Sequence, residues 1–83
     1  MIFKVEVLDV FSTTLGIVAV MGFSEDTRPH FGMIFQNEKG DEWKLKGLSM
    51  GQAGISGYVA IWDCNLEPLN PAASLKKGDI LFW

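Results

Sequence analysis

No stretch of this chain repeats its apolar residues every three to four positions for as long as ten residues, whereas several repeat them every second position. That pattern demands strands, whose successive side chains point to opposite faces. Residues 2–11, IFKVEVLDVF, set Phe3, Val5 and Val7 against Lys4 and Glu6. The alternation slips at VL, which places a bulge near Leu8. Residues 17–23, IVAVMGF, are apolar on both faces, as a central strand is. MIFQNEKGDEWKLKGL reads as a hairpin with strands 33–37 and 41–48 and Gly40 closing the turn at positive φ. In its second arm Trp43 and Leu45 face one way, and Glu42, Lys44 and Lys46 the other. A further strand, GYVAIWD at 57–63, sets Tyr58, Ala60 and Trp62 against Val59 and Ile61. CNLEPLNPAASLKKG, with two prolines, reads as a long connection holding a single helical turn near 72–77. DILFW closes the chain as a strand.

About six strands separated by turn signals predict an all-β fold: a small closed or partly open antiparallel β-barrel of six to seven strands. Trp43, Tyr58 and Trp62 are expected to fill it. Eighty-three residues suffice for one domain, 1–83, and 48% hydrophobic against 20% charged residues supplies a core. The start at Met1 and the closing strand lead to the expectation of a complete, freestanding protein.

Three glycines three apart, Gly51, Gly54 and Gly57, raise the question of a phosphate-binding loop. Such a loop needs a following helix whose N-terminus faces the anion, with a lysine at fixed offset. Here YVAIWD comes next, a strand, and no lysine stands nearby, so the glycines read as turn residues.

GQAG, an apolar strand, a polar connection and LKKGDIL resemble the β-barrel second domain of translational GTPases such as elongation factor Tu, which shows a G-x-A-G turn, a strand, then Lys or Arg, Gly and a closing strand. VEVLDVFSTTLGIVAVMGF is similar to that family's opening strand, short turn and second strand. The resemblance spans most of residues 3–82. It departs at IVAVMGF, which lacks the family's threonine before its glycine, and at DTRPHFG, where the family has a shorter turn. The resemblance implies a barrel that contacts other factors or the aminoacyl end of transfer RNA. The GTP-binding domain has no counterpart in these residues, so the resemblance implies no GTPase activity.

The composition bears on chemistry and compartment. Net charge is -3, against the basic face usual in nucleic-acid binders, so nucleic acid is not the expected partner. The lone Cys64 forms no internal disulfide, MIFKVEV is no signal peptide, and LGIVAVMGF is shorter than the roughly 20 residues a membrane helix needs. A cytoplasmic protein without membrane contact is expected. His30 has no spaced partners for a metal, and Cys64, read as a partly buried thiol at a strand end, has nothing to orient it as a nucleophile. Glu25–Asp26 and Asp41–Glu42 are sequence neighbours and do not form an acid–base couple. No catalytic residue, cofactor or metal ligand is assigned. A small hydrolase using Cys64 is the least favoured reading.

The sequence favours a non-enzymatic protein-interaction module: an acidic regulatory or immunity-type protein that blocks a basic partner. The alternative is an accessory of the translation apparatus. The loop SEDTRPHFG, 24–32, supplies the candidate interface: Glu25, Asp26, Arg28 and His30 as a charged rim beside Phe31 as an aromatic anchor. Phe82 and Trp83 cannot both enter one core, since neighbours on a strand face opposite ways. The exposed member of that pair, expected to be Trp83, completes the candidate set.

Overall fold

The computed structural model describes residues 3–14, 16–23, 29–50, 57–70 and 73–83. The strands are β1 (Lys4–Thr13), β2 (Gly16–Phe23), β3 (Ile34–Gln36), β4 (Glu42–Met50), β5 (Ala60–Pro68) and β6 (Ile80–Phe82). They close into an antiparallel barrel in the order β1-β2-β5-β4-β3-β6. Among the described residues there is no helix, hence none long and apolar enough to cross a membrane. The expected all-β barrel is the fold.

Its interior arises from the two-residue period. Val5 and Val7 of β1, Ala19, Met21 and Phe23 of β2, Phe35 of β3, Trp43 and Leu45 of β4, Cys64 and Leu66 of β5, and Leu81 of β6 form one buried cluster. Each large side chain so buried stabilises the fold by about 1.5–3 kcal/mol. The bulge expected near Leu8 is present: Val7 pairs with Met21 and the next pair is Asp9 with Val20. By absorbing Leu8, the bulge keeps Val10 packed against the core and turns Asp9 and Phe11 outward. A second irregularity, between Leu45 and Gly47, does the same for β4, bringing Leu48 against the core.

The β3–β4 turn forms as its glycine suggests, with Gly40 at φ 89°. Asn37 adds what alternation does not reveal: its Oδ1 accepts the amides of Lys39 at 3.0 Å and Asp41 at 2.9 Å.

Three expectations are corrected. β5 does not end at Asp63 but runs to Pro68, because alternation continues, with Cys64 and Leu66 inward and Asn65 and Glu67 outward. Pro68 is tolerated because β2 pairing stops at Leu66, and the Leu69 amide on the β4 side donates to Glu42 O at 2.8 Å. No helical turn forms over the described residues 73–77; instead Lys76–Asp79 make a turn, with Gly78 at φ 96° and the Lys76 amide donating to Asp79 Oδ2 at 3.0 Å. Tyr58 precedes β5 and does not fill the barrel: it lies against Gly22, on the outer side of β2. Trp43 is wholly buried, and Trp62 is half-buried against the core.

Candidate interaction site

The chain from Pro29 to Ile34 is held by its ends. Pro29 and Met33 are buried. The Met33 amide donates to His30 O at 3.2 Å, the Gly32 amide to Leu45 O at 2.9 Å, and the Leu45 amide to Met33 O at 2.8 Å. Gly32, at φ 85°, makes the reversal that a side chain would strain. With both flanks tied down, His30 and Phe31 project, and Phe31 is 70% exposed. Ile34 comes next on the outer face of β3, 36% exposed. Glu25, Asp26 and Arg28 lie outside the described residues.

Of the two terminal aromatics, Trp83 turns inward, against the expectation that it is the exposed one. Its ring stacks on Phe3 (centroids 5.3 Å, 26°) and meets the edges of Phe23 at 5.4 Å and Phe35 at 5.8 Å. Reciprocal main-chain bonds of 3.1 Å join Trp83 to Phe3. Leu81 is buried, so Phe82 faces outward, opposite Lys4 and Gln36. A shallow groove of about 280 Å³ runs there between Ile34, Gln36, Glu42, Phe82 and Trp83. Phe31 leads into the strand that forms one wall of this groove, and Phe82 belongs to the other. Ile34 is not singled out from sequence, and Phe82 enters there only as the other member of the pair with Trp83; the alternation of DILFW, anchored on Leu81, carries the signal that Phe82 is the outward one.

The groups with reactive chemistry are not brought together. Cys64 is not at a strand end but inside β5, fully buried, its Sγ donating to Trp62 O at 3.7 Å. Burial, with Asp63 beside it, pushes the thiol up to about 12, which holds it as the poorly nucleophilic protonated form. His30 stands on the exposed turn. Among the described residues no group of three His, Cys, Asp or Glu side chains could hold a metal. A polar cleft of about 320 Å³ lies between the 37–41 turn and residues 74–80. Two of its three carboxylates already serve turns: Asp41 accepts from Asn37 Nδ2 and Asp79 from the Lys76 amide. Gly57 does lead through a turn into a strand; Gly51 and Gly54 lie outside the described residues.

A scan against protein-family models and searches of curated proteins and of solved structures find no match to this chain.

Proposed function

We propose that this chain is a non-enzymatic protein-interaction module, an acidic regulatory or immunity-type protein that docks on a basic partner. The observation that carries the reading is Phe31, 70% exposed on a turn pinned at both ends to β4 and the core. An aromatic held rigidly in solvent forfeits burial and gains it when a partner covers it, and such residues dominate interface energies. The net charge of -3 favours encounter with a basic surface. The test is capture of partners from the source cell by the wild-type chain and by Phe31→Ala. A protein retained by the first and released by the second, at unchanged melting temperature, supports the reading. Equal retention by both excludes Phe31 as the anchor.

The closed antiparallel barrel, together with the resemblance to the second domain of translational GTPases, supports a second reading as an accessory of translation. The identity of the retained protein separates the two: a translation factor favours the second, a basic toxin-like protein the first.

A further inference from the structure

Strand β2 carries no polar side chain from Gly16 to Phe23. Ala19, Met21 and Phe23 account for half of that by entering the core. The outward half, Val18, Val20 and Gly22, belongs to the face an antiparallel sheet normally leaves polar. Tyr58 covers Gly22. Across from Val18 stands Phe11, turned outward by the bulge and 51% exposed. Across from Val20 stand Asp9 on β1 and Asp63 on β5. Cross-strand neighbours of this kind are about 5 Å apart, so Val20 lies between two carboxylates, and Val18, in the next row, between Phe11 and Asn65.

The other charges on these strands and on the neighbouring β4 are Glu6 and Glu67 outward, Lys4 at the start of β1, and Glu42, Lys44 and Lys46 on β4. Glu6 receives the Tyr58 hydroxyl, and Glu67 pairs with Lys46 at 3.5 Å. Among the described residues neither Asp9 nor Asp63 has a cation; Asp9 Oδ1 accepts the Val10 amide at 2.9 Å. A second copy of this chain is a poor occupant. It would set Asp9 and Asp63 against their own like, and Asp9 already caps the edge amide that strand-to-strand pairing would use.

We infer that the outer face of β1, β2 and β5, where Val20 lies between Asp9 and Asp63 and Phe11 and Val18 form the next row, docks a partner protein that presents an apolar side chain flanked by lysine or arginine. The inference rests on the chain being a protein-binding module, but not on Phe31 being its contact. Apolar cover supplies affinity, and the two carboxylates supply selection by charge.

The test is amide chemical-shift mapping of the purified chain with two synthetic peptides of equal length, one alternating lysine with valine and phenylalanine, the other with glutamate in place of lysine. The basic peptide is expected to shift Phe11, Val18, Val20 and Asp63 saturably, and to bind about tenfold more weakly in the Asp9→Asn/Asp63→Asn variant. Asparagine keeps an acceptor for the Val10 amide, so the fold is preserved, and a thermal melt checks it. Equal response to both peptides, shifts confined to other residues, or no shift overturns the inference. So does a dimer in sedimentation that Val20→Lys abolishes. A captured partner that Phe31→Ala releases but Asp9→Asn/Asp63→Asn and Val20→Lys both retain overturns this face and leaves the binding-module reading standing. Absence of any captured partner, with no response to either peptide, removes both.

Discussion

The ring of Tyr58 lies so close to Gly22 that a β-carbon added at position 22 would come within 2.6 Å of it. The same tyrosine donates its hydroxyl to the carboxylate of Glu6, the residue opposite Gly22 on β1. That bond, with some burial, raises the Tyr58 pKa. One side chain thus ties the segment before β5 to the outer wall, and it needs a glycine beneath it. Gly22→Ala is expected to destabilise by about 1–3 kcal/mol, the usual cost of overpacking. In a Tyr58→Ala background most of that cost should vanish, because the clash has gone. A denaturant-based double-mutant cycle checks it; additive costs would show that Gly22 is required for another reason.

Cys64 gives the fold an alkaline limit. In the unfolded chain the thiol ionises near its ordinary 9.0, whereas in the fold burial and Asp63 hold it protonated to about 12. Between those values the unfolded state binds fewer protons, so stability falls as pH rises, by about 1.4 kcal/mol per unit. Below that window the thiol adds no slope. Tyr58 acts in the same direction at higher pH, so the measurement belongs in a Tyr58→Phe background. There, Cys64→Ala should flatten the alkaline decline in urea-unfolding free energy; an unchanged slope would rule the thiol out as its source.

Trp83 and Phe82 should respond unequally to truncation. Trp83 meets Phe3, Phe23 and Phe35, two of which are wholly buried. Being half-buried itself, it should cost about 2–3 kcal/mol as Trp83→Ala, below the range for a fully buried aromatic. Phe82→Ala should cost under about 1 kcal/mol, having only the outer groove to leave. Thermal melts resolve the difference, since 1 kcal/mol shifts a domain of this size by about 4–8 °C. Equal shifts would contradict the inward placement of Trp83.

Alternation was legible wherever one face met the core and the other met water. Val5 and Val7 against Lys4 and Glu6, and Trp43 and Leu45 against Lys44 and Lys46, needed nothing beyond a period of two. β5 was cut short because Asn65 and Pro68 resemble turn residues. Tertiary pairing overrides that local preference: Leu45 and Leu48 of β4 pair with Leu66 and Cys64. The placement of Tyr58 escaped because a residue just before a strand obeys no strand parity, and Gly22, its seat, carries no side chain to advertise the contact. Of the candidate interface, the exposure of Phe31 was legible from a polar loop around one aromatic. The outward turn of Phe11 depends on how a bulge absorbs Leu8, and the slip at VL marks only that a bulge exists.

The barrel's closing seam is its least supported part. β3 and β6 have three residues each and meet at a single pair, Gln36 with Phe82. β6 also joins β1 through Lys4 and Phe82, residues at opposite ends of the described chain. Bringing them together carries the largest loop-closure entropy in the molecule, so these pairings reward the chain late in folding. The hairpin of β1 and β2 is local and can form first. In amide exchange the protons of β3 and β6 should therefore trade with solvent through local opening, ahead of those of β2 and β5. A barrel that is a ring in topology behaves in time as a sheet with a clasp.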